Sequence, residues 1–190
     1  MRRLFASGYE IRGRYCRGTV ASVFVFSCKG GLENQARDVV SHYVGKTGVF
    51  PDGLQYRNVS DTICLPSQNR LKLIVYINGE CGACMEQFVQ WSRITEQITH
   101  EGAVDVVFYV RAMDSYAIVP HLRRINFEYS FYIDPKSDIL YLNGISEKQP
   151  LLHTFLVDGD NRMVLVGSPA NNDKLWELYK QLIHRLSQGG

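Results

Sequence analysis

Hydrophobic and polar residues follow two different periods in the middle of this chain. Residues 71–77 are almost all apolar and rich in β-branched side chains, which is typical of a buried strand. Apolar residues then recur every three or four positions from Phe88 to Ile98, which indicates a helix with one buried face. Asn78 and Gly79 supply a turn after the first run. The pattern therefore predicts a strand, a turn and a helix in succession.

Weaker patterns flank this unit on both sides. Residues 32–43 have the spacing of a short amphipathic helix, and residues 54–65 are expected to add an edge strand or two. A further helix is expected to begin near Asp114, and a short strand to occupy residues 131–134.

Two cysteines, Cys81 and Cys84, fall between the predicted strand and the predicted helix. Cysteines separated by two residues at a helix start lie about one turn apart, close enough to form a small disulfide ring. The first of them meets the positive end of the helix dipole, which favours the thiolate and makes Cys81 a nucleophile near neutral pH. The placement predicts redox chemistry at Cys81-Gly82-Ala83-Cys84.

Two other roles for this cysteine pair have less support. A structural zinc site needs a second pair of Cys or His ligands, and Cys16, Cys28, Cys64 and five scattered histidines offer none at ligand spacing. Two buried structural thiols would have no reason to fall at a strand-to-helix junction. Redox chemistry is therefore favoured, and no metal site is predicted.

Four segments together carry a resemblance to a known family. Residues 74–88 look like its strand, active-site turn and first helix, and residues 104–110 look like its central strand. Residues 153–164 look like its antiparallel hairpin, and residues 173–187 like its closing helix. The chain resembles the thioredoxin-like superfamily, and more narrowly the envelope-facing, lipoprotein-type thiol-disulfide oxidoreductases of bacteria. The apolar stripe of the closing helix is expected to consist of Leu175, Leu178, Leu182 and Leu186.

The resemblance implies an α/β fold of the thioredoxin type. It implies a central mixed β-sheet of about four to five strands, flanked by helices and preceded by an N-terminal extension. The expected organisation is a signal or lipoprotein-type targeting segment at 1–28, an extension with a short amphipathic helix at 29–60, and a thioredoxin-like domain at 61–190. A chain of 190 residues that is 45% hydrophobic can bury one core of this size.

The resemblance also implies thiol-disulfide exchange with disulfide-containing or dithiol proteins. In that chemistry Cys81 attacks a partner's disulfide to give a mixed disulfide, and Cys84 resolves it by attacking Cys81. The sequence contains no flavin or nicotinamide motif, so no cofactor is predicted and electrons are expected from an upstream thiol reductant. The residues expected to face the substrate or tune the pair are Glu80, Gly82, Ala83, Leu152, His153 and Thr154.

The chain departs from the family pattern in two places that bear on chemistry. The family usually has a cis-proline directly before its threonine-phenylalanine strand, where this sequence has Leu152 and His153, with Pro150 nearby. The residue before the first cysteine is often tryptophan in the family and is Glu80 here. A carboxylate beside Cys81 should raise the pKa of its thiol and lower the reduction potential. The sequence therefore predicts a reductant.

Two other functions stay open at the level of sequence. Cys81, Cys84 and His153 could together bind copper(I) for storage or delivery, because soft thiolates with one imidazole suit that ion. The missing proline would also fit a non-catalytic interaction domain that keeps the fold. Metal titration of the reduced protein separates the copper(I) alternative from exchange chemistry. An insulin-reduction assay with a measured reduction potential shows whether the cysteine pair exchanges.

The first thirty residues have the layout of a secretory signal. Five arginines precede a short apolar run at residues 20–26, which ends in Ser27 and Cys28. A cysteine directly after a small residue resembles a lipoprotein signal, so Cys28 is predicted to carry a lipid on the envelope side of a bacterial membrane. The alternatives are a wrongly chosen start codon or an internal strand.

The charge of the chain agrees with removal of this segment. Residues 1–27 hold five arginines and one acidic residue, Glu10, so their loss changes the net charge from +2 to −2. The remaining domain has no basic stripe suited to nucleic acid, and no apolar run approaches the about 20 residues of a membrane-spanning helix. Cys64 has apolar neighbours and is predicted to be buried.

Overall fold

The computed structural model describes residues 38–59, 70–99 and 104–188 of the chain. Within these ranges the strands are β1 (Gln55–Arg57), β2 (Leu71–Asn78), β3 (Val104–Arg111), β4 (Phe131–Ile133), β5 (Thr154–Val157) and β6 (Met163–Val166). The helices are α1 (Met85–Thr99), α2 (Ser115–Arg124), α3 (Asp138–Leu142) and α4 (Asp173–Gln188). Short 3-10 helices occupy Gly82–Cys84 and Pro150–Leu152, and residues 38–43 are helical.

The strands form one mixed sheet in the order β1-β4-β3-β2-β5-β6. At its centre β2 and β3 run parallel and pair along their full lengths, from Leu71 opposite Val104 to Asn78 opposite Arg111. β4 is parallel to β3, whereas β5 is antiparallel to β2 and β6 is antiparallel to β5. β1 closes the far edge by antiparallel pairing with β4. The central pair therefore brings the carboxyl ends of β2 and β3 to the same edge of the sheet.

Alternate residues of the central strands are buried on opposite faces of the sheet, because side chains of a strand point to the two faces in turn. On one face, Leu73 and Phe108 pack in a cluster with the buried side chains of α1, α2 and α4. On the other face, Ile74 and Tyr76 pack with those of α3. Both faces of β2 are covered, which explains why residues 71–77 are almost wholly apolar.

The positions of α1 and α2 follow from the strand order. β2, β3 and β4 are parallel and advance in one direction across the sheet. Right-handed crossovers that advance in one direction place their helices on one face, and α1 and α2 belong to the same cluster. The chain then returns from β4 to β5, and α3 on this return lies on the opposite face.

A buried carboxylate fixes the start of α3. Asp134, directly after β4, accepts hydrogen bonds from the backbone N–H groups of Asp138 at 2.8 Å and Ile139 at 3.0 Å. Burial raises the pKa of Asp134, and these two bonds oppose the shift. Ser137, the residue before α3, has a left-handed backbone with φ 56°, and its hydroxyl lies 2.7 Å from the hydroxyl of Tyr76. The segment that leads to β5 is therefore anchored to β2 and β4.

The fold class predicted from the sequence is confirmed. The strand, turn and helix around residues 71–98, the hairpin of β5 and β6 and the closing helix are all present. In the described residues the sheet has six strands and not the expected four to five, because β1, which the sequence placed in the extension, pairs with β4. The predicted boundary at residue 60 lies outside the described residues. None of the helices in the described part of the chain is long and apolar enough to span a membrane.

One position of the closing helix was predicted wrongly. Leu178 is 46% exposed, whereas Tyr179 and Ile183 are buried. A helix turns by about 100° per residue, so the fourth residue after Leu175 faces the sheet more directly than the third. Tyr179 fills that place, and its hydroxyl donates a hydrogen bond to the carbonyl of Gly167 at 2.7 Å. The regular spacing of leucines led to the prediction of Leu178 in place of Tyr179, the aromatic residue that anchors α4.

Candidate active site

Cys81 and Cys84 lie directly after the turn that follows β2. They form a disulfide, and their Cα atoms are 5.1 Å apart. The 3-10 turn between them is closed by the Cys84 N–H, which donates to the Cys81 carbonyl at 2.9 Å, and α1 follows at once. Both cysteines are half-buried, whereas Gly82 and Ala83 are exposed. The exposed residues leave this side of the disulfide ring open to a partner protein.

Gly79 holds the turn before the cysteines close against β3. Its N–H donates to the carbonyl of Arg111 at 2.9 Å. A Cβ at this position would lie 2.9 Å from that same carbonyl oxygen and 2.9 Å from Cδ1 of Ile118, so only glycine fits without a shift of backbone. The side chain of Asn78 accepts a hydrogen bond from the N–H of Glu80 at 3.0 Å. The Asn-Gly pair predicted from the sequence therefore shapes the approach to Cys81.

Arg111, the last residue of β3, belongs to this site and was missed by the sequence analysis. Its Nε lies 3.2 Å from Oε2 of Glu80, and its Nη1 donates a hydrogen bond to Oε2 of Glu147 at 2.9 Å. Nε makes no hydrogen bond to any described residue, so the contact with Glu80 is an ion pair only. Glu147, and then Glu80, raise the pKa of Arg111. The sequence could have indicated Arg111, because a charged residue there directly follows the apolar run of the predicted central strand.

Glu80 has a charged partner that the sequence did not predict. Its carboxylate is half-exposed and paired with Arg111. A cation at 3.2 Å offsets part of the negative field that a carboxylate exerts on a neighbouring thiolate. The expectation that Glu80 raises the pKa of the Cys81 thiol stays a prediction, and the structure adds the residue that opposes it.

The segment before β5 differs from the cis-proline of the family pattern. Pro150 is the first residue of the 3-10 helix Pro150–Leu152, and no peptide bond in the described residues is cis. Leu152 and Thr154 are buried, and Thr154 pairs with β2. His153 fills the position next to β5, where its carbonyl accepts a hydrogen bond from the N–H of Tyr76 at 2.9 Å. Pro150 therefore does not take the place of the family's proline.

The His153 imidazole is held by two contacts. Its Nε2 lies 3.2 Å from the carbonyl oxygen of Ser146, and its ring meets that of Tyr76 edge to face with centroids 5.0 Å apart. Burial lowers the pKa of His153 below its ordinary value of 6.5. The imidazole is therefore neutral near pH 7, and it does not supply the positive charge that would stabilise a thiolate.

The structure does not test two of the other cysteines. Cys28, the predicted lipid site, and Cys64 lie outside the described residues. Within the described ranges, no three His, Cys, Asp or Glu side chains are grouped so that they could hold a metal ion. The copper(I) alternative through Cys81, Cys84 and His153 gains no support from this geometry.

Comparison with known proteins gives matches in structure and none in sequence. No family model matches the chain. No curated protein matches it either. Among solved structures, a candidate protein disulfide isomerase from Bacteroides thetaiotaomicron matches with a TM-score of 0.56 at 15% identity, over 77% of this chain and 91% of that one.

Two further structures match over similar lengths. An uncharacterized thioredoxin-like protein from Porphyromonas gingivalis has a TM-score of 0.51 at 15% identity, over 76% of this chain and 96% of that one. The thioredoxin domain of a thiol-disulfide oxidoreductase from Bacteroides vulgatus has a TM-score of 0.50 at 9% identity, over 74% of this chain and 97% of that one. At such identities the likeness establishes the fold, and the chain has a thioredoxin-like fold, as its sequence resemblance predicted.

The first prediction concerns the two glycines of the active-site turn. Gly79→Ala places a methyl group against the fixed carbonyl of Arg111, so we expect it to lower the free energy of unfolding by about 1–3 kcal/mol. A Cβ on Gly82 meets nothing within 4 Å, so Gly82→Ala is the matched control and should stay within about 0.5 kcal/mol of wild type. Urea unfolding of the oxidised proteins measures both. Equal stabilities would contradict the close packing at Gly79.

The second prediction concerns the pH dependence of stability. The folded state disfavours protonation of His153, so the unfolded chain binds more protons as the pH falls below 6.5, and stability should fall with it. His153→Gln should reduce this loss between about pH 7.5 and about pH 5. His121→Gln, at an exposed position of α2, is the control and should keep the wild-type slope. Identical slopes in wild type and His153→Gln would refute the buried neutral state.

Proposed function

We propose that this protein is a thiol-disulfide oxidoreductase that exchanges disulfides with protein partners through Cys81-Gly82-Ala83-Cys84. The observation that carries the proposal is the Cys81–Cys84 disulfide between a central strand and a helix of a thioredoxin-like fold. Names of structural neighbours, such as thiol-disulfide oxidoreductase, support the same class.

The exchange proceeds in two balanced steps. In the reduced protein the Cys81 thiolate attacks one sulfur of a partner's disulfide, which forms a mixed disulfide and releases the partner's other sulfur as a thiolate. Cys84 then attacks the sulfur of Cys81, which restores the Cys81–Cys84 disulfide and releases the partner as a dithiol. Two electrons pass from the cysteine pair to the partner. We expect a second thiol protein to return them, because the sequence contains no flavin or nicotinamide motif.

The positions of the two cysteines suit these roles. Cys81 itself has an extended backbone, with φ −97° and ψ 114°, and it precedes the exposed pair Gly82 and Ala83. Cys84 closes the 3-10 turn and leads directly into α1. A thiolate at Cys81 meets the amino-terminal end of this helical segment, whose dipole favours negative charge.

The preferred direction in the cell is reduction of the partner. Glu80, Arg111 and Glu147 together carry one net negative charge, and the member adjacent to Cys81 in the chain is a carboxylate. Negative charge beside a thiolate destabilises the reduced form and lowers the reduction potential. His153 is neutral because of its burial and does not oppose this effect. The remaining bias is toward a reductant.

The cellular setting we propose is the envelope side of a bacterial membrane. The support is the arginine-rich start, the apolar run at residues 20–26 and the Ser27-Cys28 junction, which together resemble a lipoprotein signal. Cys28 would then hold the domain at the membrane through its lipid, facing disulfide-containing proteins and an upstream thiol reductant.

A non-catalytic interaction domain is the second candidate function. It is favoured by one observation, which is that Pro150 is trans in a 3-10 helix and His153 lies beside β5. In the thioredoxin pattern the residue at that point pairs with the incoming substrate. An assay of exchange decides between the two candidates.

The third prediction assigns the nucleophile. Cys84→Ala should accumulate mixed disulfides with partners in the cell envelope, because no second cysteine is left to resolve them. Added reductant should cleave these mixed disulfides. Cys81→Ala and the double variant should trap none and are the controls. Wild type should reduce insulin in the presence of dithiothreitol, and all three variants should fall to background. Trapping by Cys81→Ala instead would reverse the roles, and an inactive wild type would favour the interaction domain.

The fourth prediction tests the anchor. Cys28→Ser should move the protein from the membrane fraction to the soluble fraction, because no sulfur remains to accept the lipid. Cys16→Ser, which removes a cysteine from the same segment, is the control and should leave the protein in the membrane. Recovery of the wild type in the cytoplasm with Met1 at its amino terminus would contradict both the anchor and export.

A further inference from the structure

Arg111 lies where three separate parts of the chain meet. It ends β3, opposite Asn78 in the parallel ladder with β2. Its carbonyl accepts the N–H of Gly79, and its guanidinium reaches Glu80 in the active-site turn and Glu147 ahead of the 3-10 helix Pro150–Leu152. One residue thus contacts the turn before Cys81 through both its backbone and its side chain.

The segment that Glu147 belongs to leads to His153 and is itself ordered by local hydrogen bonds. The Ser146 carbonyl accepts the N–H of Gln149 at 3.0 Å and faces Nε2 of His153 at 3.2 Å. The Ser146 hydroxyl accepts the N–H of Lys148 at 3.2 Å. Glu147 therefore belongs to a segment whose neighbouring residue, Ser146, contacts His153 directly.

We propose that Arg111 is a positioning residue that binds the active-site turn and the segment before β5 into one unit and supplies the positive charge that balances Glu80 beside Cys81. The inference rests on the proposed exchange function and deepens it, because it names the residue that sets the redox poise of the same site. Arg111 does not touch the sulfur chemistry itself and acts through Glu80 and Glu147.

The chemistry of the guanidinium suits this role better than that of an ammonium. Arg111 uses Nε for Glu80 and Nη1 for Glu147, so two carboxylates on different segments share one planar cation. A lysine carries its charge at a single nitrogen on a flexible stem and has no fixed fork to bridge them. The bridge therefore needs arginine, whereas the charge balance needs only a cation.

Charged and titratable groups lie on several parts of the described structure next to the cysteine pair. The turn contributes Glu80, and α1 contributes Glu86 in its first turn. β3 contributes Arg111, and the segment before β5 contributes Glu147 and the neutral His153. Tyr76 of β2 interacts with both Arg111 and Glu147, and burial raises the pKa of its hydroxyl, so it stays neutral. Arg111 is thus the cation of this group.

The experiment measures the pKa of the Cys81 thiol by thiolate absorbance, and the reduction potential by equilibration with glutathione. Arg111→Gln leaves two carboxylates without their cation and should raise the Cys81 pKa by about one unit, with a lower potential. Glu147→Gln removes one negative charge and should shift both quantities in the opposite direction. A purely structural role would not give shifts of opposite sign.

Two further variants complete the series. Arg111→Lys keeps the cation and loses the bridge, so the Cys81 pKa should return most of the way to wild type. Arg93→Gln, at an exposed position of α1, removes the same charge away from the cluster and should change nothing. Thermal unfolding of each variant checks the fold. If Arg111→Gln does not fold, the shift in Glu147→Gln decides the question.

The outcomes separate this inference from the proposed function. A Cys81 pKa unchanged in both Arg111→Gln and Glu147→Gln overturns the role of Arg111, even if the wild type reduces insulin. A wild type that reduces no disulfide overturns the proposed function, while opposite shifts in the two variants would still establish Arg111 as the residue that sets the charge around Cys81.

Discussion

The full-length parallel pairing of β2 with β3 determines most of what surrounds the disulfide. It places Asn78 opposite Arg111, so that the turn after β2 and the end of β3 share one edge of the sheet. The carboxyl ends of neighbouring parallel strands are a common place for functional groups in α/β proteins, because loops from several strands converge there. Here that convergence gives Arg111 two contacts, a backbone hydrogen bond with Gly79 and an ion pair with Glu80. A slip of one residue in this register would separate all of them.

The site combines a fixed backbone with balanced charges. Cys81 directly precedes the 3-10 turn that leads into α1, and the neighbouring carboxylate is paired with a cation at 3.2 Å. The imidazole of His153, which family likeness would make a candidate for tuning, is neutral and packed on Tyr76. The charged side chains next to the active-site turn therefore form one ion-pair cluster that joins three segments of the chain.

The sequence predicted well those features that depend on local periodicity. The buried strand, the Asn-Gly turn and the amphipathic α1 were all found where the spacing of apolar residues placed them, because each is decided within about fifteen residues. Arg111 and Glu147 escaped prediction because their pairing depends on the register between segments 36 residues apart. The short helix α3 escaped because a single carboxylate, Asp134, starts it rather than a periodic pattern. Leu178 was misplaced because leucine spacing was followed where geometry favoured Tyr179.

The tight contact at Gly79 has a consequence for how oxidised and reduced forms differ. The turn is pinned to the β3 backbone by a hydrogen bond and leaves no space for even a methyl group. The contacts that hold this turn are therefore made to β3 and α2 and do not involve the disulfide. Any change of the main chain on reduction is therefore expected after Gly79, where Gly82 and Ala83 are exposed and a Cβ on Gly82 meets nothing within 4 Å.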